Sequence, residues 1–323
     1  MTDEPIYLVT GALGCIGAWT LHHLVKDGKR VVSFDLSENR SRLDLLLNST
    51  EQARITFLKG NLTDFGDVLR AIEGHKINRI VHLAALQVPF CRSDPVLGAQ
   101  VNVVGTVNLF EAARQANLKH ITYASSIAVY GPTDTYSCGQ IAADSSFDPR
   151  TLYGVYKQAN EGTAQIFWQD HGVSSIALRP YTVYGVTRDQ GITSEPTKAM
   201  LYAAAGRDST IGFGGTMQFD YASDVARRFI EAADTPIDGA YGFALGAAPV
   251  SVAELGRLIE KERPGVTVHI DNTPLPFPHG VSSGNLSEVL PLTKDTPLEE
   301  GVRQTIDHFD TLLARGRLDI DLI

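Results

Sequence analysis

Residues 6–28 read "IYLVTGALGCIGAWTLHHLVKDG", and the way this stretch is joined decides the fold. "IYLVTG" is a short apolar run of the kind buried on both faces of a sheet. "LGCIGAWTLHHLVKDG" has helical spacing and ends at Gly28, where a left-handed C-terminal cap is expected. Between strand and helix stand Gly11, Gly14 and Gly17, spaced G-x-x-G-x-x-G. A tight strand-to-helix turn needs a residue without Cβ, and a close backbone approach to a pyrophosphate needs another. The helix N-terminus then offers free N–H groups and the positive end of its dipole. Gly11, Leu13, Gly14, Cys15, Ile16 and Gly17 are therefore read as a seat for the phosphates of a dinucleotide. The plainer alternative is that the glycines only let strand and helix pack.

The pattern continues outward. "RVVSFDLS" is a second strand and "RITFLKGNL" a third, followed by the helix "DFGDVLRAIEG". "RIVHLAAL" is a fourth strand, and "DPVLGAQVNVVGTVNLFEAARQAN" is a long helical segment. "HITYASS" is a fifth strand, "TLYGVYKQANEGTAQIFWQDHG" a helix and "SSIALRPYTVYG" another strand. Strands alternating with helices predict βαβ units: an α/β, doubly wound parallel sheet. Asp35 ends the second strand about twenty residues beyond the glycine loop, where a carboxylate accepts hydrogen bonds from the adenosine ribose hydroxyls and repels a 2′-phosphate. The expected cofactor is thus NAD, although Arg40 and Arg42 stand close enough to receive a phosphate. Asn61, with Leu62 in "KGNLTD", is either an adenine-edge ligand or a turn residue.

Beyond Gly185 the rhythm changes. "GVTRDQGITSEPTK" is polar and loop-like, "KAMLYAAAGRD" a short helix, and the Gly-rich "STIGFGGTMQFDYASDVA" is expected to hold a hairpin. "PLPFPHG" is a Pro-rich loop and "PLEEGVRQTIDHFDTLLARG" a terminal helix. The division expected is residues 1–185 as the dinucleotide-binding domain with the catalytic residues. Residues 186–323 form a smaller substrate-binding lobe, interleaved with the last strands of the sheet.

Bulk properties narrow the function. The chain has 323 residues, 43% of them hydrophobic, and a net charge of −9, enough for a large core and unsuited to nucleic acid. No apolar run is long enough to span a bilayer, and "MTDEPIYLVTG" has no secretory pattern. The three cysteines, Cys15, Cys91 and Cys138, form neither a metal spacing nor a disulfide framework. A cytoplasmic protein without metal is expected.

Taken together, "TGALGCIG", "GNLTD", "HLAA", "VNVVGTVNLFEAA", "SSIAVYG", "YGVYK" and "LRPYTVYG", in this order, resemble the extended short-chain dehydrogenases/reductases, the NAD-dependent epimerase/dehydratase group. The resemblance implies a Rossmann-type fold, a bound nicotinamide dinucleotide, hydride chemistry at a carbinol or carbonyl carbon, and a homodimer. By the same resemblance Asn102 supports the active-site backbone, and Ala84, with Ala85, lies along the cofactor.

In "RTLYGVYKQANEG", Arg150 to Gly162, two tyrosines compete for one lysine. On a helix, residues four apart share a face and adjacent ones do not. Tyr153 precedes Lys157 by four, whereas Tyr156 is adjacent and points about 100° away. Tyr153 is therefore the tyrosine of the pair. The ammonium is expected to favour its phenolate, and Lys157 can also hold the nicotinamide ribose. Ser126, after the fifth strand, would share the proton in motion, with Ser125 turned to the cofactor.

The resemblance also separates reactions. Sugar dehydratases carry an Asp-Glu pair where this chain has Ile127 and Ala128. Nucleotide-sugar epimerases carry an Asn where Thr182 stands and an Arg where Met217 stands, and no arginine appears in "SGNLSEVLPLTKDTPLEEG". These departures point to a small polyol, sugar acid or hydroxy-ketone, oxidised at a secondary alcohol. Substrate contacts are expected among Gln87, Ser126, Thr182, Arg188, Thr193 and Ser194, with Arg92 and His279 as further cleft candidates. A UDP-sugar 4-epimerase with tightly held NAD is the alternative, kept open by Arg207. A non-enzymatic dinucleotide sensor is a second alternative.

Overall fold

The computed structural model describes residues 4–136, 140–318 and 320; Cys138 lies outside them. Seven strands form the main sheet: β1 (Ile6–Thr10), β2 (Arg30–Asp35), β3 (Ile55–Lys59), β4 (Arg79–His82), β5 (His120–Ala124), β6 (Ser174–Arg179) and β7 (Ala240–Ala244). Their order is β7-β6-β5-β4-β1-β2-β3, and every pairing is parallel. From β1 the chain builds one flank through β2 and β3, then returns to β4 on the other side of β1. That reversal opens a crevice beyond the carboxyl ends of β1 and β4, where ligands of such sheets bind.

Both faces of the sheet are covered, which is why β1 is apolar throughout. Tyr7 and Val9 enter one core, and Ile6 and Leu8 enter the other. The first face carries α1 (Cys15–Lys26), packed on a helix at Ala222–Asp234. The second carries α2 (Phe65–Gly74), α3 (Gly105–Gln115) and α4 (Leu152–His171). α1 ends as expected, with Gly28 at φ +72°. Further along lie α5 (Glu195–Ala204), α6 (the Ala222–Asp234 helix), α7 (Val252–Glu262) and α8 (Leu298–Ala314). Among the described residues, no helix is long and apolar enough to cross a membrane.

Two expectations fail in the second half. "SSIALRPYTVYG" is two strands, not one. β6 stops at Arg179, and Thr182–Tyr184 pairs in parallel with Phe219–Tyr221. Pro180 lacks the N–H that would continue the ladder, so the chain leaves the sheet there. The expected hairpin within 209–226 is also absent. Ser209–Ile211 pairs with Val268–Ile270, and Thr216–Met217 with Val250–Ser251. Each short strand finds a distant partner because the connecting glycines bring the segment against other backbone rather than back on itself. α6 and α7 form where the sequence reading marks no helix.

Candidate active site

A cleft of about 670 Å³ opens at the switch point. The glycine loop forms its floor. Gly11 has φ +63°, and a Cβ there would come within 2.6 Å of the Ala84 backbone, so the loop can lie against the end of β4 only as glycine. Gly14 is the N-cap of α1 and offers no side-chain cap. The first intrahelical bond runs from Ala18 N–H to the Gly14 carbonyl, 2.9 Å. The amides of Cys15, Ile16 and Gly17 precede it, at the positive end of the helix. An uncapped helix end on a glycine cradle fits the phosphates of a dinucleotide.

Asp35 lines the same cleft. Its Oδ2 accepts the Leu13 N–H (3.0 Å) and its Oδ1 the Ser37 N–H (2.9 Å). It therefore also anchors the glycine loop, which the sequence does not reveal. Each carboxylate oxygen keeps acceptor capacity for a ribose hydroxyl. Arg42 lies nearby, but its Nε donates to Asp189 (2.8 Å) and its Nη1 to the Leu13 carbonyl (3.3 Å). Arg40 stacks over Phe57 at 3.6 Å. The Oδ1 of Asn61 accepts the Thr63 N–H (3.0 Å), so Asn61 shapes a turn while lining the cleft beside Leu62, Ala84 and Ala85.

The opposite wall is the start of α4. Thr151 caps it, and Tyr153 faces the cleft beside Ser126 and Lys157. The Ser126 side chain lies beside the Tyr153 hydroxyl and draws its pKa downward. Ser126 Oγ also accepts the Ala128 N–H at 3.1 Å, which fixes its rotamer. Tyr156 points outward, its hydroxyl donating to the Pro95 carbonyl (2.9 Å). Lys157 is buried, its Nζ 5.5 Å from the Tyr153 ring centroid and donating to the Ala124 carbonyl (2.6 Å).

The electrostatics depart from expectation. Burial pushes the Tyr153 hydroxyl up to about 12, opposed by Ser126 and by the Arg188 charge. Burial pushes Lys157 down to about 8. Desolvation dominates at Tyr153, and Lys157 gives its hydrogen bond to the Ala124 carbonyl rather than to the phenol. Ser125 lines the cleft, with its hydroxyl donating to Glu161 (2.5 Å), which holds the buried Arg179 through two further bonds.

Asn102 sits behind the site, almost wholly buried. Its Oδ1 accepts the Leu86 N–H (2.7 Å) and its Nδ2 donates to the Leu86 carbonyl (2.9 Å). One side chain thus clamps both polar atoms of a residue in the loop after β4. A second support was not foreseen. The buried His82 meets Thr10 Oγ1 through Nδ1 (2.6 Å) and Thr106 Oγ1 through Nε2 (3.1 Å), and Thr106 donates to the Asn102 carbonyl (2.7 Å). Burial holds His82 down to about 3, so it is neutral. The histidine of "HLAA" was the only sequence signal for this tie between the ends of β1 and β4.

Of the expected substrate contacts, Gln87, Ser126, Arg188 and Thr193 line the cleft. Thr182 and Ser194 do not. Thr182 is fully buried with its hydroxyl on Met217 Sδ (3.1 Å), and Ser194 donates to the Gly191 carbonyl (2.9 Å). Both hydroxyls are consumed inside the fold. Thr182 and Met217 thus pack behind the cleft instead of building its wall. Arg92, Arg207 and His279 also lie outside the lining. Among the described residues no group of side chains is arranged to hold a metal ion.

Comparison with known proteins gives concordant findings. A model of the NAD dependent epimerase/dehydratase family matches residues 7–242. A UDP-glucose 4-epimerase of Mycolicibacterium smegmatis is 34% identical over 250 residues, covering 74% of this chain and 76% of that protein. Among solved structures, the L-threonine dehydrogenase of Clostridium difficile superposes with a TM-score of 0.83 at 20% identity, over 95% of this chain and 98% of the other. The UDP-glucose 4-epimerase of Thermus thermophilus, in complex with NAD, gives 0.79 at 23% identity, over 94% and 98%. At these identities both structures speak to the fold alone.

Proposed function

The chain belongs to the NAD-dependent epimerase/dehydratase family, and from that premise we propose that it oxidises a secondary alcohol of a small polyhydroxylated substrate that carries no nucleotide. A sugar acid, polyol or hydroxy-ketone fits this reading. The observation that supports an oxidoreductase is the meeting of Ser126, Tyr153 and Lys157 in the same cleft as the glycine loop. NAD supplies the hydride acceptor when bound. The glycine loop and the first amides of α1 would hold its phosphates, Asp35 its adenosine ribose, and Lys157 its nicotinamide ribose.

The chain's own groups prepare the alcohol. Tyr153 accepts the hydroxyl proton, and Ser126 hydrogen-bonds the same oxygen. Burial opposes the phenolate that this needs, while Ser126 and the Arg188 charge favour it. Lys157 adds a positive field while it is protonated, and turning its Nζ from Ala124 toward Tyr153 or a ribose would strengthen that help. Asn102 and His82 act indirectly, as positioning residues that hold the loop after β4 and the end of β1.

The small-substrate half of the reading rests on the cleft's charge. From Pro180 onward, Arg188 is the only cation lining it among the described residues. Thr182 and Met217 close on each other behind it. A nucleotide diphosphate brings two negative charges, and desolvating them without partners costs several kcal/mol. A UDP-sugar 4-epimerase is the second reading, favoured by the 34% identical relative. The test is to offer NAD with sugar acids, polyols and UDP-sugars while following NADH absorbance and sugar stereochemistry. NADH formed from a small substrate supports the oxidoreductase. Inversion of a UDP-sugar with no net NADH supports the epimerase.

We further propose a cytoplasmic homodimer. Val96, Val104, Leu152, Val155 and Ile166 are exposed on or beside α3 and α4, an apolar face suited to a second copy. Light scattering that returns a monomer mass would refute the dimer.

A further inference from the structure

We propose that the cleft contains a built subsite for a carboxylate, anchored by Arg188 with Thr193 and Gln87 beside it, so that the substrate is a hydroxy acid rather than a neutral polyol. The inference rests on the oxidoreductase reading and narrows its substrate class. Arg188 Nη2 donates to Thr193 Oγ1 at 3.1 Å, but its Nε is buried with no hydrogen-bond partner. Among the described residues no carboxylate stands within ion-pair distance of it. Asp189, the next residue, is turned to Arg42 Nε at 2.8 Å. The guanidinium has donors in a planar fork and no acceptor of its own. A buried unsatisfied donor on a cation is costly unless a ligand completes it, and the ligand that matches a guanidinium fork is a planar oxyanion.

The backbone aims this arginine. Thr187 has φ +82°, a conformation that β-branched residues rarely adopt. It is held there from both sides. Trp19 Nε1 donates to the Val186 carbonyl (2.9 Å), and Thr187 Oγ1 donates to the Cys15 carbonyl (3.3 Å). Strain kept in place by tertiary contacts next to a cleft arginine is characteristic of a ligand clamp. Gly191 closes the cluster. A side chain there would collide with Gln87 Oε1 and crowd Arg188 Nη2, so Gln87 and Arg188 meet at one spot.

The place of the subsite relative to the chemistry follows from its neighbours. Arg188 lines the cleft together with the glycine loop and Tyr153, and the preceding Thr187 is bonded to the Cys15 carbonyl of that loop. Its charge lowers the pKa of both Tyr153 and the Cys15 thiol, so it serves the phosphate end and the proton acceptor alike. Anionic oxygens could come from the dinucleotide or from the substrate. The dinucleotide already has the open amides of α1, which leaves Arg188 for a carboxylate whose neighbouring carbinol reaches Tyr153 and Ser126.

The experiment uses the NAD-saturated full chain and calorimetry, with D-gluconate as the acid probe and D-glucitol as its uncharged counterpart. The wild type is expected to bind gluconate about tenfold or more tighter than glucitol, the worth of one charge-assisted pair. Arg188→Met should erase the preference, and Arg188→Lys should keep part of it. Thr193→Val, which frees the guanidinium from its hydrogen bond to the threonine, should reduce the preference while conserving the charge. NAD affinity, titrated separately, should stay within about threefold, since the α1 amides are untouched. Gluconate that binds no better than glucitol, or not at all, overturns the subsite. So does an Arg188→Met variant that weakens NAD about tenfold while the acid preference survives, since that assigns the arginine to the dinucleotide phosphates. Oxidation of glucitol without acid preference would sink the subsite yet leave the oxidoreductase standing. Inversion of UDP-glucose would remove both.

Discussion

Asn102→Ala should loosen the active-site loop and cost stability at the same time. The asparagine is 1% exposed, and its amide serves both polar atoms of Leu86, at 2.7 and 2.9 Å. Alanine leaves the Leu86 N–H without that acceptor. The carbonyl keeps the weak Cys91 thiol donor at 3.2 Å. One orphaned, partly buried amide and a small void together cost about 2–4 kcal/mol. Asn102→Asp should be worse. An Asp oxygen can still accept from Leu86 N–H, but the other carboxylate oxygen would face the Leu86 carbonyl and bury a charge without a partner. Because Leu86 and Gln87 line the cleft, kcat/KM should fall by about tenfold or more in both variants. Urea unfolding, NAD titration and steady-state kinetics on the two variants measure these three quantities. An Asn102→Ala protein with the wild-type urea midpoint and wild-type kcat/KM would refute the clamp, as would an aspartate variant more stable than the alanine one.

Tyr153→Phe should abolish turnover with folding and NAD binding preserved. Tyr156→Phe should cost about 1 kcal/mol, the net worth of its bond to the Pro95 carbonyl, with kinetics unchanged; a dead Tyr156→Phe enzyme would reverse the assignment. NAD should bind more tightly than NADP by calorimetry, because Asp35 meets the 2′-phosphate while Arg42 is held by Asp189; tighter NADP would mean that Arg42 leaves Asp189. Acid should destabilise the fold through His82 and His23, both held down to about 3 by burial. A folded-state value below the unfolded 6.5 means that the unfolded chain binds more protons, so stability is full above pH 6.5 and is lost as pH falls. At pH 5 the loss is about 2 kcal/mol per histidine. It is offset in part by the buried Asp220, whose carboxyl is pushed up to about 7 and so gains stability as pH falls. The check is the urea midpoint at about pH 5 and about pH 7.5 in the wild type and in His82→Gln; a pH dependence that the variant shares in full would show that His82 is charged or exposed.

What the sequence discloses follows the range of the interactions. The glycine loop, Asp35 and the tyrosine register are local: each depends on a backbone turn or on helical spacing within about twenty residues. They are readable for that reason, and the structure sets Tyr153 in the cleft and Tyr156 outside it. Thr182 and Ser194 look like cleft residues because a hydroxyl in a polar loop shows no partner in the sequence. Their partners, Met217 and the Gly191 carbonyl, appear only in three dimensions. The tie between Thr10 and His82 spans 72 residues, and the pairing of Thr182–Tyr184 with Phe219–Tyr221 is likewise non-local. Pro180 does signal the break in "SSIALRPYTVYG", and the spacing of Val225, Phe229 and Ala232 does signal α6. Those two features were legible in principle. The pKa balance at Tyr153 was not, since it turns on the burial of the tyrosine itself against the opposing pull of Ser126 and Arg188.

The most direct test of the central claim is the number of NADH molecules formed per active site. Purified protein is mixed with excess NAD and D-gluconate, or another small hydroxy acid or polyol from the panel, and absorbance is followed alongside Tyr153→Phe. The account predicts NADH in clear excess over enzyme, formed over many turnovers and absent from the Tyr153→Phe protein. NADH that never exceeds one equivalent, together with inversion of UDP-glucose by the same preparation, would contradict it.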